Sequence, residues 1–487
     1  MNDRPRIAPV ARPDALYIDG AWTRASTGQR IAVADAATAT VFMEVAEAGT
    51  DDIALAVRAA REAFDAGPWT QMTHDERAAW LWAIADRLEG RLADLKSLWI
   101  AETGITTTHA DRVMPSIPDG FRSYAGLADS FPFSEEHASS VGGRALLLRE
   151  PVGVVAAIIP WNAPVSMIMH KCAPVLLAGC TIVLKASPEA PGAACIFAEI
   201  CDEVGLPRGV VNMVTADRHA SDALVRDPLV DKISFTGSTA VGQHIGAVCG
   251  SRVARCTLEL GGKSAAIVLD DFDIGQAAAT IAGGATFLSG QVCAALTRVV
   301  VRRDRHDAMV EALRSVFETV RVADPFDPAT GMGPVASERQ RARIEQYVEG
   351  AVAEGATLAC GGARPSNGLD GFFVAPTVFG HVSNAMTIAR EEVFGPVLSV
   401  IPCADEREAV ALANDSLFGL NAAVFTASAD RALDVARQIR AGSVGHNGSR
   451  PDFGIAFGGF KRSGIGREGG AEGLRSFLET KTVVLAP

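Results

Sequence analysis

A thiol and a carboxylate stand out as residues able to do chemistry together. Cys293 lies in Gly290-Gln291-Val292-Cys293-Ala294-Ala295-Leu296, where small and apolar neighbours leave its sulfur open to a ligand. Upstream of it, Glu259 opens Glu259-Leu260-Gly261-Gly262-Lys263. A nucleophile and a candidate base, each beside glycines that let a ligand come close, suggest covalent catalysis at a carbonyl. Cysteine suits that task because its thiolate attacks readily and the thioester it forms can still be hydrolysed. Taken singly, each has a plainer use: a cysteine in apolar surroundings packs a core, and a Glu before two glycines ends an element.

Further motifs surround the pair. Pro160-Trp161-Asn162 follows the apolar run Val152–Ile159. An Asn at the carboxyl end of a parallel strand faces the ligand crevice, where its amide can donate to an oxyanion; alternatively it caps the next helix. Lys185-Ala186-Ser187-Pro188-Glu189 ends the next strand-like run and places a cation and a carboxylate where a nucleotide ribose or phosphate binds, or simply at a solvated strand end. Phe235-Thr236-Gly237-Ser238-Thr239-Ala240-Val241-Gly242 follows a short strand and opens a helix, with Gly237 expected to permit a tight turn. Free N–H groups at such a helix start favour a phosphate. Neither a Gly-x-Gly-x-x-Gly nor a Walker loop is present. Glu391-Glu392-Val393-Phe394-Gly395-Pro396 offers an acid for ribose hydroxyls and a ring to wall off a nicotinamide, and Ala456–Gly464 is a glycine-rich loop.

These motifs must be positioned by alternating elements. From Pro151 onward, short β-branched runs alternate with helical stretches: Val152–Ile159, Val165–Ala178, Thr181–Lys185, Ala190–Val204, Val210–Val214, Ala220–Arg226, Lys232–Phe235 and Val241–Cys249. That rhythm predicts a parallel sheet covered on both faces, an α/β fold. A second alternating block runs from Ala265 to about Val444. Leu16–Trp22 reads as a strand and turn, while Ile53–Phe64 and Arg77–Leu88 carry apolar residues at helical spacing, so the first ~130 residues read as largely helical. Arg144–Leu148 and Lys481–Leu485 are extended runs that can pair with each other or with a neighbouring subunit.

Composition narrows the function classes. The chain has 487 residues, 48% hydrophobic and 21% charged, with a net charge of −12. The acidic balance and scattered Lys and Arg argue against nucleic acid. No apolar stretch is long enough to span a membrane, and Met1–Pro13 reads as a loose polar leader without a secretion signal. The nine cysteines include no Cys-x-x-Cys pair, so no disulfide framework and no metal site is expected, and a cytoplasmic setting fits.

Together the ordered motifs identify a resemblance to the aldehyde dehydrogenase superfamily over nearly the whole chain. The resemblance rests on Pro160-Trp161-Asn162, Lys185, Phe235–Ser238, Glu259–Lys263, Gly290–Cys293, Glu391–Pro396, Asn447 and Phe457-Gly458-Gly459. It implies that Cys293 is the nucleophile, that Asn162 with the Cys293 N–H forms an oxyanion hole, and that Glu259 activates water. It places Lys171 in a proton relay. It implies cofactor contacts at Ile158, Pro160, Trp161, Lys185, Ser187, Glu189, Phe235, Gly237, Ser238, Gly242, Leu260, Glu392 and Phe394. It sets Ala163, Met167, His170, Val292, Ala294 and Phe453 along an aldehyde tunnel that is roomy and mainly apolar, suited to medium aliphatic or aromatic aldehydes. The implied cofactor is NAD, with NADP open because Pro188 stands where many relatives have the ribose-holding Glu and Glu189 follows one later; Ala216-Asp217 also departs from a common glycine. The expected fold is a Rossmann-like cofactor domain (1–127 and 148–261), an α/β catalytic domain (262–461) and a small β oligomerisation element (128–147 and 462–487), in a homotetramer or homodimer. A CoA-acylating relative and a catalytically silent structural relative are the alternatives; the presence of both Glu259 and Cys293 weighs against them.

Overall fold

The computed structural model describes residue 7, residues 10–365, residue 368 and residues 370–486. Most of the expected N-terminal leader lies outside these.

Two parallel sheets carry the molecule. In the first, Val211–Thr215, Thr181–Ala186, Val154–Ile158, Lys232–Thr236 and Arg255–Glu259 lie side by side in that order, all parallel. Numbered along the chain, this is the order 3-2-1-4-5 of a dinucleotide-binding half-sheet. Every residue of Val154–Ile158, Thr181–Ala186 and Val211–Thr215 is buried. Continuous apolar runs are what a strand with helices on both faces requires. The helices expected from the sequence appear as Pro164–Ala178, Gly192–Val204, Arg218–Arg226 and Thr239–Arg252.

In the second sheet Thr377–Gly380, Val397–Cys403, Leu296–Arg302, Ser264–Val268, Asn421–Phe425 and Ser443–His446 are parallel, with Thr357–Cys360 antiparallel at one edge. A third, antiparallel sheet joins Ser134–Ala138, Arg144–Pro151 and Leu478–Leu485. The two extended runs singled out in the sequence therefore pair with each other inside one chain, from Leu478↔Pro151 to Leu485↔Arg144.

The strand and turn expected at Leu16–Trp22 is a hairpin of Leu16–Ile18 and Ala21–Thr23 that joins the first sheet through Tyr17↔Met213, and Arg30–Ala34 pairs with Val41–Ala46 ahead of the first helices. The hairpin turns at Asp19 and Gly20, with φ of 54° and 68°. That left-handed pair is what a tight hairpin demands. The boundary expected at 147/148 falls inside the strand Arg144–Pro151, which stays paired along its whole length. The tail 462–487 also divides: Gly464–Ile465 adds an edge to the first sheet against Leu258 and Glu259, and only Leu478–Leu485 joins the third.

One buried cation ties the second sheet to the Gly-Gly-Lys turn. Arg298, 1% exposed, donates from Nε to the Lys263 carbonyl at 3.0 Å, from Nη1 to Asn384 Oδ1 and the Leu412 carbonyl, and from Nη2 to the Ala413 carbonyl. Arg298→Met would strand four buried acceptors, each costly to leave unpaired. We expect it to lower stability by about 3 kcal/mol or more, read as a lower denaturant midpoint; an unchanged midpoint would contradict this role.

Candidate active site

The strand Val154–Ile158 has Thr181–Ala186 on one side and Lys232–Thr236 on the other, so the order reverses between it and Lys232–Thr236. Ligands bind outside the carboxyl ends of strands at such a reversal. Pro160-Trp161-Asn162, Gly237-Ser238 and Glu259 all lie at these ends, with Thr236 opposite Glu259 in register.

The segment holding Cys293 is fixed from several directions. Leu288, Ser289 and Gly290 take φ of 49°, 53° and 73°, a left-handed turn that breaks the preceding helix. Ser289 Oγ donates to the Gly333 carbonyl at 2.8 Å. Fully buried Gln291 donates to the Leu288 and Thr103 carbonyls and accepts from the Ala336 N–H at 2.9 Å. Asn421 Nδ2 donates to the Ala294 carbonyl at 2.8 Å. From the first sheet, Asn162 Nδ2 donates to the Gln291 carbonyl at 2.8 Å, and Trp99 Nε1 donates to the Asn162 carbonyl at 2.9 Å. The helix after Asn162 starts beyond Ala163 with no side-chain cap, so the capping use is not taken. Gly262 completes the frame: a Cβ there would lie 2.5 Å from the Cys293 carbonyl oxygen.

The electrostatics are those of an acid-rich, dry site. Cys293 is half-buried, and burial together with the carboxyls of Glu392 and Glu259 pushes its thiol up to about 12. Glu259 is 3% exposed and neither of its oxygens has a hydrogen-bond partner among the described residues. Burial, then the nearby Glu468, hold its carboxyl well above the usual carboxylate range, against the pull of Lys171 and Arg467. Lys171 itself is tied elsewhere. Its Nζ lies 2.5 Å from Glu468 Oε1 and 3.1 Å from Ser234 Oγ, with all three groups buried. Glu468 escaped the sequence reading. It reaches the site because Gly464–Ile465 pairs with the end of the Glu259 strand. Its signal was present, since Glu468-Gly469-Gly470 repeats the acid-before-glycines pattern that picked out Glu259.

On the cofactor side, Lys185 is lowered to about 8 by burial, countered by Glu189 and Asp217. Glu189 accepts from Ser187 Oγ at 2.5 Å and from Arg339 Nη2 at 2.6 Å. Asp217 caps the helix Arg218–Arg226 by accepting from the Ala220 N–H. Ser238 caps Thr239–Arg252. Gly237 has no left-handed backbone, contrary to the tight-turn expectation; a Cβ there would meet the Phe235 ring at 2.5 Å, so close packing selects the glycine. Gly242 is likewise packed against Leu260. Ile158 is buried and Pro160 half-buried at the end of their strand. Glu392 accepts from the Gly262 N–H at 3.0 Å, and burial pushes its carboxyl up to about 7. Phe394 has φ of 60° and meets Trp161 edge-on at 5.4 Å. Gln340, which the sequence did not flag, holds this turn by donating to the Val393 and Phe394 carbonyls.

On the other side of the thiol, Ala294, Leu420 and Phe457 form a small apolar cluster with Val292, Cys293 and Phe453 packed against it. Phe453 stacks on Phe457 and on His170. Ala163 and Met167 pack against the hydrophobic cluster that includes Val155, Ile159 and Val165. The expected run of small residues is thus complemented by rings, Phe457 among them.

One group of potential metal ligands, His306, Asp307 and His381, lies on other elements. His306 Nε2 accepts from the His381 N–H at 3.0 Å, which leaves Nδ1 as the protonated nitrogen facing Asp307 at 2.8 Å. A ring bonded at both nitrogens has no lone pair to give a metal.

Removing one partner of a buried ion pair is costly. Lys171→Met should destabilise the fold by about 3–5 kcal/mol, and adding Glu468→Gln should recover part of that loss. Denaturant unfolding of the single and double variants checks this; equal losses would contradict the pairing.

Comparison with known proteins gives the family. Residues 22–483 match the model of the "Aldehyde dehydrogenase family". Geranial dehydrogenase of Castellaniella defragrans is 40% identical over 96% of this chain and 98% of its own length. Betaine aldehyde dehydrogenase 1 of Oryza sativa is 39% identical over 98% of this chain and 96% of its own. A Mycobacterium tuberculosis aldehyde dehydrogenase, solved with NAD+, superposes with a TM-score of 0.95 at 43% identity, covering 97% of this chain and 98% of that one. A Pseudomonas syringae aldehyde dehydrogenase variant, solved with NAD+ and octanal, gives 0.94 at 37% identity with 98% of each chain covered. The chain belongs to the aldehyde dehydrogenase family, enzymes that oxidise aldehydes to acids with a nicotinamide dinucleotide.

Proposed function

We propose that Cys293 oxidises medium aliphatic or aromatic aldehydes through an enzyme-bound thioester, with NAD as the preferred cofactor and NADP as a second. The observation that carries this reading is that the Asn162 amide is tied to the Gln291 carbonyl, two residues from Cys293, while the unpaired, buried Glu259 acts electrostatically on that thiol. The donor set also fits a dinucleotide: a helix N-terminus behind Ser238, a desolvated Lys185 at a strand end, and the acids Glu189 and Glu392 on either side. Pro188 cannot hold a ribose hydroxyl, so Glu189 takes that task.

Cys293 Sγ, its proton already lost to solvent, attacks the aldehyde carbon as the thiolate. Asn162 Nδ2 has one N–H spent on Gln291 and a second left for the developing oxyanion, beside the Cys293 N–H. A nicotinamide dinucleotide supplies, when bound, the acceptor for the hydride that leaves as the thiohemiacetal becomes a thioester. Glu259 then takes a proton from water as the water adds to the thioester carbon; the acid departs and the Cys293 thiolate is restored. Lys171 and Glu468 adjoin Glu259 and form the ionisable path by which that proton leaves. No cation among the described residues of the apolar cluster stands ready to hold a substrate carboxylate, so hexanal and benzaldehyde should exceed succinate semialdehyde in kcat/KM. The three-part division of the chain, with the third sheet mediating a homotetramer or homodimer, is part of the same reading, as is a cytoplasmic setting for nine free thiols. Among the described residues, no helix is long and apolar enough to cross a membrane.

Cys293→Ala should abolish aldehyde oxidation while leaving cofactor binding largely intact. Glu259→Gln should give a burst of reduced cofactor, read by its absorbance, followed by little turnover; a normal steady-state rate would remove Glu259 from the mechanism. The wild-type pH profile carries a further test. Glu259 works when deprotonated and its carboxyl is raised, so kcat should climb with pH through a limb above the ordinary carboxylate range. A rate already on its plateau within that ordinary range would contradict this.

A further inference from the structure

His170 is the one member of the aromatic row beside Cys293 that carries ring nitrogens. It sits in the helix Pro164–Ala178, 7% exposed, two turns beyond Asn162. Its imidazole stacks on Phe453 with centroids 4.0 Å apart and planes 20° apart, and Phe453 stacks on Phe457 at 4.3 Å and 26°. Phe453 and Phe457 pack with Val292, Cys293 and Ala294. The row therefore begins at the thiol and ends at the imidazole. Its two ring-to-ring steps, 4.0 and 4.3 Å, set the imidazole one ring beyond the cluster that holds the thiol.

Packing does not explain the nitrogens. Stacking needs only a flat ring, which phenylalanine would supply without polar atoms to bury. Here Nδ1 is buried and has no hydrogen-bond partner among the described residues. A buried polar atom left unpaired costs about 1–3 kcal/mol. The neighbouring charges offer no relief, because Lys171 and Glu468 are bonded to each other. Burial lowers the imidazole to about 4. At neutral pH it is therefore uncharged, with one N–H to donate and one bare nitrogen to accept. A hydroxyl group, which both donates and accepts, is its natural complement.

The geometry points to His170 as a specificity-determining residue that hydrogen-bonds a hydroxyl carried at the far end of the substrate from its aldehyde carbon. The favoured substrates are flat or extended apolar aldehydes bearing such a hydroxyl. This rests on the reading of Cys293 as nucleophile. Sites with a buried polar group discriminate against analogues that leave it unpaired, which is stronger selection than an extra methylene provides.

The test compares para-(hydroxymethyl)benzaldehyde with para-ethylbenzaldehyde, which has a methyl group in place of the hydroxyl. The wild-type enzyme should favour the hydroxylated aldehyde by about tenfold or more in kcat/KM. His170→Phe, which keeps the stack, should bring the ratio near one whatever its absolute rate. His170→Gln, which keeps a side-chain amide, should retain part of the preference. A wild-type ratio near one, or a tenfold ratio that survives in His170→Phe, overturns the proposal. Should His170→Phe fail to fold, the wild-type ratio and a partial ratio in His170→Gln decide. Absence of turnover with both aldehydes and with hexanal would count instead against the nucleophile reading.

Discussion

The bond from Asn162 Nδ2 to the Gln291 carbonyl is the constraint on which the site depends. Asn162 belongs to the first sheet and Gln291 to the segment leading into the second. One hydrogen bond therefore sets the amide and the thiol relative to each other across the crevice. Gln291 is held in turn by Thr103 and Ala336, and Asn162 by Trp99. An amide oriented before any substrate arrives needs no reorganisation when negative charge appears on oxygen, and that advance placement is the main source of rate in such sites.

The same enclosure sets the protonation chemistry. Cys293, Glu259 and Glu392 are all shifted toward their neutral forms, chiefly by loss of water. A resting site of uncharged acids costs less to bury than one of bare anions. Lys171 and Glu468 lie beside them as a buried ion pair, so that each charge meets an opposite one. The arrangement separates two jobs: a fixed ion pair supplies a local field, while an unpaired carboxyl next to it stays free to gain and lose a proton.

How far the sequence could be read follows from distance along the chain. Cys293, Glu259 and Asn162 each stand in a short local pattern, the first ahead of a strand and the other two at or just beyond the end of one, and the parallel alternation around them is itself local. Gln340, Asn421 and Glu468 act from segments that meet the site only after folding, so no spacing in the sequence joins them to Cys293. The Asn162 amide illustrates the limit: oxyanion donor and helix cap are both sound uses for an Asn at that point, and the cap is set aside only because the amide turns to a residue 129 positions away. The hairpin at Leu16–Thr23 was half legible, since Asp19-Gly20 marks the turn, but such short strands carry too little periodicity to announce their place in a sheet.

The late position of Glu468 and of the strands Gly464–Ile465 and Leu478–Leu485 has a consequence for biosynthesis. Both parallel sheets can be largely translated while these segments are still inside the ribosome. Until they emerge, Lys171 is a buried cation lacking its counter-ion, and the strand Arg144–Pro151 presents an open edge. Nascent chains with such edges are prone to associate wrongly. These segments thus act as a closing seam, and a chain stopped ahead of them would lack the partner of Lys171 and leave the edge of Arg144–Pro151 open.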